Sequence, residues 1–266
     1  MSTFASSLQD MQERCDLTPA CAKRYPDLAG TLKKAMDRFD HEQLSSGPRR
    51  LLPANLFDSL WNLMVGNDYE RVPSAIDFAA NGDAALVAEW VGATSPGSEF
   101  FLPELTDSTA IAQATIMCAD IAQGRPIAAD MRAAGRRYPF LEKALYPADG
   151  FDRLCEAWYP TPVPADVRDA VKSDLPVLMY SLRYDPSTLQ ADGRLAARSL
   201  PHATLLEHPA GSHSTLLYDP CLIGMEAAFL SDPGARLDRS CMTGWKPATF
   251  ALDGFEEYIA TLRAPY

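Results

Sequence analysis

Apolar residues recur at helical spacing through the first part of the chain. Leu28, Leu32, Met36 and Phe39 fall three or four apart within the segment Tyr25 to Phe39, and Leu56, Leu60, Leu63 and Met64 repeat the pattern in the next. The run DSTAIAQATIMCADI reads as a further buried helix. This helical reading extends from about residue 5 to residue 170. Polar, Pro-containing breaks interrupt it at SSGPRR (45–50), GATSPGSE (92–99) and ALYPADG (144–150). The opening MSTFASSLQDMQERC is a polar, mildly amphipathic helix with neither a basic leader nor an apolar run, so no export signal is expected in it.

The periodicity changes after Pro162, Pro164 and the polar connector ADVRDAVKSD. PVLMYS (176–181) and ATLLEH (203–208) are short continuous apolar runs, the pattern of buried strands, and ADGRLAARSL (191–200) between them reads as a helix. Strand, helix and strand in that order make a βαβ unit with parallel strands. LIGMEAAFL (222–230) supplies the next helix, ended by Ser231, Asp232 and Pro233. The expected fold class is α/β, with a mostly helical region over 1–170 and a βαβ segment over 171–266.

In open parallel sheets the chemistry gathers at the carboxyl ends of the strands. Asp185 and His213 each follow such an end and could meet, as the acid and base of a hydrolase triad do. The plainer reading is that Asp185, followed by Pro186, opens a turn, and that His213 sits in a solvated Gly-Ser loop. His41, in a polar helix end, His202, in a tight SLPHA turn, and His208, at a strand end before Pro209, are weaker candidates.

Composition narrows the picture. The net charge of −11 argues against a nucleic-acid partner, which needs a basic stripe to displace counterions. No run of 18 apolar residues is present, so no membrane span is expected. The four histidines lack paired ligand spacing and there is no phosphate-cradling glycine loop, so neither metal nor cofactor is expected. Cys15, Cys21, Cys118, Cys155, Cys221 and Cys241 contain no CxxC pair. They could be buried small hydrophobes. Alternatively, Cys15 with Cys21 and Cys221 with Cys241 could close local loops, as suits an oxidising compartment.

The run SDLPVLMYSLRYDPSTLQADGRLAARSLPHATLLEHPAGSHSTL, followed by Cys221, AAFLSDP and LDRSCM, resembles the C-terminal domain of the tripeptidyl-aminopeptidase-like (TAP-like) α/β-hydrolases. In that family one strand leads to a D-P-V-T-P segment holding the acid, and a second leads to a G-x-G-H segment holding the base. Upstream, RCDLTPACAKRYPDL resembles the start of the family's helical lid, and IMCAD and LCEAWYP its later cysteine-bearing segments. The resemblance implies a partial α/β-hydrolase fold, a lid over 1–170, and a secreted or cell-envelope serine exopeptidase acting on peptides with a free N-terminus. It implies Asp185 as the acid, His213 as the general base, and disulfides Cys15–Cys21, Cys221–Cys241 and Cys118–Cys155. Glu70, Asp83, Glu89 and Asp120 are acidic lid residues that could hold the substrate's amino group.

The nucleophile elbow G-x-S-x-G occurs nowhere in the 266 residues. Ser181 lies within the acid strand without flanking glycines, and Ser95 and Ser98 sit in a loop with no strand before them. The expectation is therefore the acid and base half of a serine hydrolase, inactive alone, with a non-catalytic protein-binding module as the alternative. Leu182 and Ser212 stand where the family has glycine, which suggests relaxed or altered loops. A sheet of two strands is marginal, so either a serine-bearing N-terminal half or a second copy is expected on its open edge.

Overall fold

The computed structural model describes residues 2–95, 108–122, 127–144, 148–158, 161 and 163–262. Ser98 lies outside them, as do parts of the breaks expected at 92–99 and 144–150. Six helices open the chain: α1 (Ser2–Asp16), α2 (Pro19–Arg24), α3 (Leu28–His41), α4 (Pro53–Val65), α5 (Val72–Asn81) and α6 (Ala84–Thr94). The break at 45–50 is a small antiparallel hairpin of β1 (Ser45–Ser46) and β2 (Arg49–Arg50), turned by Gly47 at positive φ. Local chemistry sets the helix starts. Asp27 accepts from Gly30 N to cap α3, Pro53 occupies the first turn of α4, and Asp83 accepts from the N–H groups of Ala85 and Leu86 to cap α6.

α7 (Ser108–Ile116) runs into a π-turn over Met117–Ala122, and α8 (Ile127–Arg137) and α9 (Ala148–Trp158) follow. The βαβ unit is then β3 (Val177–Leu182), α10 (Gln190–Ala197) and β4 (Ala203–His208), each within two or three residues of its sequence-based bounds. β3 and β4 pair in parallel from Val177↔Ala203 to Leu182↔His208. α11 (Pro220–Ser231) is capped by Asp219, which accepts from the N–H groups of Cys221 and Leu222. A last helix, α12 (Phe255–Leu262), has no counterpart in the sequence reading. No helix among the described residues is long and apolar enough to cross a membrane.

The apolar stripes named above converge in one large core: Leu32 and Met36 of α3, Leu56, Leu60 and Met64 of α4, and Phe4, Leu8 and Met11 of α1. That core also takes in residues from the other end of the chain, Tyr184, Phe250, Phe255 and Ile259. Phe255 meets Trp90 edge-on at 4.9 Å and Phe78 at 5.5 Å. Polar bonds hold the same return: Arg14 Nε donates to Ala248 O at 2.8 Å, and Tyr25 Oη lies 2.8 Å from Leu252 O. A smaller core of Leu182, Leu206, Leu222 and Met225 joins the sheet to α11.

All six cysteines are paired: Cys15–Cys21, Cys118–Cys155 and Cys221–Cys241, with Cα separations of 5.0, 5.1 and 5.6 Å. The choice left open between buried thiols and disulfides is settled for disulfides.

One polar cluster is enclosed between α4 and α6. Ser95 Oγ, on a nearly fully buried residue, donates to Asp58 Oδ2 at 3.3 Å and accepts from Asn55 Nδ2 at 3.1 Å. Burial pushes the Asp58 carboxyl up to about 6, against the opposing pull of the Ser95 hydrogen bond. A raised folded pKa means the native state holds the proton more tightly than the unfolded chain. Its stabilising effect is therefore complete below the unfolded value near 3.8 and is lost as pH rises through about 6. Asp58→Asn, which removes the charge and keeps an acceptor for Ser95, should stabilise the protein by about 1–2 kcal/mol at pH 8 and by little at pH 4. Urea unfolding at the two pH values measures this, and equal effects at both would contradict it.

Candidate active site

β3 runs out through Arg183 and Tyr184 to Asp185, and β4 through Pro209, Ala210 and Gly211 to Ser212 and His213. The strands are adjacent and parallel, so both loops leave the same end of the sheet. Tyr184 N donates to Gly211 O at 3.0 Å, which carries the pairing one step beyond the strands. Gly211 has φ of +80°, and a Cβ there would meet the Thr215 side chain at 2.8 Å, so glycine is required. Ser212 has no positive φ and tolerates a side chain.

Asp185 and His213 meet. His213 Nδ1 lies 3.0 Å from Asp185 Oδ2, across 28 residues of sequence. Asp185 is 3% exposed, whereas the His213 side chain is 48% exposed. The buried carboxylate is well supplied with donors. Oδ1 accepts from the N–H groups of Ser187 at 2.7 Å and Thr188 at 3.1 Å, and Oδ2 accepts from Thr188 Oγ1 at 2.6 Å. Those bonds give the buried carboxyl oxygens the hydrogen-bond partners that burial would otherwise deny them. Among the described residues no hydrogen bond reaches His213 Nε2, the ring nitrogen turned from Asp185.

The helical body holds both loops. Ser7 Oγ, on α1, donates to Asp185 O at 2.9 Å. The buried Ser212 hydroxyl bonds the Met64 carbonyl at the end of α4 and lies 3.1 Å from Tyr184 O, while Ser214 N donates to Val65 O at 3.0 Å. Gly211 N donates to Tyr69 Oη at 3.0 Å, and the Tyr69 ring stacks on Tyr184 at 5.6 Å. Burial pushes the Tyr69 phenol up to about 12, so it keeps its proton and can serve as acceptor and donor at once. The residue that departs from the family's glycine is thus a tie: Ser212 fastens the histidine loop to α4. The loop is held, not slack.

The remaining candidates lie elsewhere. Ser181 is buried in β3 facing α10, Ser95 closes the Asp58 cluster, and no hydrogen bond among the described residues joins either to His213. His41 and His202 are exposed. His208 is buried against Trp245, ring centroids 4.4 Å apart, with Nδ1 2.6 Å from Ala210 O and Nε2 3.4 Å from Asp219 Oδ2. That second His–Asp contact anchors the histidine loop to the start of α11. Glu70 receives Tyr69 Oη at 3.4 Å, Asp83 caps α6, Glu89 lies on the exposed face of α6, and Asp120 lies in the π-turn.

Residues 144–241 match the family described as TAP-like protein. The resemblances drawn for RCDLTPACAKRYPDL (14–28) and IMCAD (116–120) lie outside that match. No curated protein and no solved structure matches the chain. The matched span contains β3, α10, β4, the loop carrying Asp185 and the loop carrying His213. Residues 144–241, which carry both Asp185 and His213, are thus similar to the TAP-like family of α/β-hydrolases.

Proposed function

We propose that this chain supplies the acid and the base of a serine hydrolase resembling the tripeptidyl and prolyl aminopeptidases, releasing residues from the free N-terminus of a peptide. One observation carries the reading: a buried, hydrogen-bonded Asp185 holds Nδ1 of a half-exposed His213, leaving Nε2 for a reacting group. In that role Asp185 fixes the imidazole orientation and stabilises its charged form. His213 Nε2 takes the proton from a serine hydroxyl as it attacks the scissile carbonyl, then returns it to the leaving amine.

The serine comes from outside these 266 residues, which hold no nucleophile elbow; it is supplied by a further segment or a separate chain. The open sheet edge is where that segment docks. Val177 N donates to His202 O, so by alternation Leu178 and Tyr180 turn their backbone groups away from β4, towards an added strand. In this scheme residues 1–170 act as the lid and 171–266 as the hydrolase segment, with three disulfides fitting an oxidising compartment.

Hydrolysis of a peptide p-nitroanilide tests the reading. The isolated chain should be inactive, and activity should appear when it is combined with a TAP-like front half carrying G-x-S-x-G. Equal hydrolysis by the isolated chain would overturn it. The second reading, a protein-binding module, draws on the exposed Leu217, Tyr218, Ile223 and Leu230 beside the histidine loop and on α11. No activity in the combined sample, together with capture of a partner that Leu230→Asp abolishes, would favour the module.

A further inference from the structure

We infer that Thr188 is a positioning residue for His213, acting through the Asp185 carboxylate; the inference rests on the acid–base reading above. Among the described residues, every hydrogen-bond donor on that carboxylate apart from His213 comes from residues 187 and 188. The two backbone N–H groups converge on Oδ1, and the Thr188 hydroxyl takes one lone-pair direction of Oδ2 at 2.6 Å. The other direction of Oδ2 is left to His213 Nδ1, at 3.0 Å. A carboxylate held on both oxygens cannot rotate about its Cβ–Cγ bond without breaking several bonds at once. It therefore presents a single acceptor in a fixed place to the imidazole.

The consequence lies in which ring nitrogen carries the proton when His213 is neutral. A fixed acceptor at Nδ1 selects the Nδ1–H tautomer and leaves the Nε2 lone pair free, the form a general base needs. Without the hydroxyl only the two backbone donors on Oδ1 oppose rotation about Cβ–Cγ, so the carboxylate rocks more freely and the half-exposed ring more often exchanges its Nδ1 bond for water. The hydroxyl thus determines whether a base is present, although Thr188 itself touches no reacting group.

The test is the tautomer of neutral His213, read from its ring nitrogen shifts in long-range 1H–15N NMR spectra of the full chain. The wild-type ring should be mainly Nδ1–H. Thr188→Val, nearly isosteric and lacking only the hydroxyl, should lower the ratio of Nδ1–H to Nε2–H by about tenfold, the worth of one hydrogen bond to a charged group. Thr188→Ser, which keeps the hydroxyl, should retain the wild-type ratio. Should the valine variant fail to fold, Thr188→Ala replaces it against the same serine control. An unchanged ratio in Thr188→Val, or in its alanine replacement, alongside a collapse in Asp185→Asn, would overturn the role of Thr188 and leave the pair intact. An unchanged ratio in Asp185→Asn would instead overturn the acid–base reading itself.

Discussion

His213→Ala, combined with a serine-bearing front half, should hydrolyse peptide substrate about 10⁴-fold more slowly than the unmodified chain in the same combination, with the loss in kcat and little change in KM. A serine hydroxyl is a weak nucleophile near neutral pH, and the imidazole removes its proton as the bond to carbon forms. No other histidine can substitute. His208 has both ring nitrogens against Ala210 and Asp219, His202 precedes β4 at the opposite end of the sheet, and His41 is an exposed residue at the end of α3. Because the His213 side chain is about half exposed and Asp185 keeps its bonds from Ser187 and Thr188, its removal should cost only about 1 kcal/mol of stability, so lost activity would not reflect lost folding. Asp185→Asn should cost about as much in kcat, since its amide would either turn a donor towards the imidazole or, flipped, set its NH2 against the N–H groups of Ser187 and Thr188. Paired kinetics and urea unfolding on both variants provide the check.

Phe255→Ala should destabilise the protein by about 3–5 kcal/mol, which is a large share of the roughly 5–15 kcal/mol that holds a typical domain together. The side chain is buried, edge-on to Trp90 and in contact with Phe78 and Tyr258. Its removal leaves a cavity between α5, α6 and α12 that rigid aromatic neighbours cannot close. The effect reaches the site because the same C-terminal return is tied to the helical body through Arg14 and Tyr25, and to Glu70 by Ala251 N at 3.0 Å. Glu70 adjoins Tyr69, the acceptor for Gly211 in the histidine loop. Leu230→Ala, on the exposed face of α11, should change stability by less than about 0.5 kcal/mol and serves as the control. A loss below about 1 kcal/mol for Phe255→Ala would contradict this account of the core.

The elements with strong local patterning were legible in the sequence. β3, α10, β4 and α11 followed from apolar runs bounded by turn residues, and α3 and α4 from apolar stripes at helical spacing. Asp185 and His213 were legible for a related reason: each follows a buried strand, and parallel pairing of consecutive strands brings their carboxyl ends together. What holds the pair was not legible. Ser7 reaches Asp185 across 178 residues and Tyr69 reaches Gly211 across 142, and neither contact leaves a periodic or motif signature. Thr188 was within reach, because an Asp followed three residues later by Thr suits a side chain that bonds its own turn. α12 was missed since FEEYIATL is short and follows a loop, and its helical state depends on Phe255 finding the Trp90 pocket. Ser212 shows the limit of reading a departure from a family pattern. Serine in place of the expected glycine suggested a relaxed or altered loop, and only the three-dimensional structure identifies its hydroxyl as a tie to α4.

The most direct measurement is intact-mass analysis after treatment with a fluorophosphonate probe, made on the chain alone and on the chain combined with a serine-bearing TAP-like front half. The expected result is no stoichiometric adduct on the isolated chain, and in the combination an adduct on the front half's serine that forms far more slowly with His213→Ala. Stoichiometric labelling of a serine within these 266 residues, or front-half labelling indifferent to His213, would contradict the assignment of Asp185 and His213 as the acid and base of a serine hydrolase completed from outside this chain.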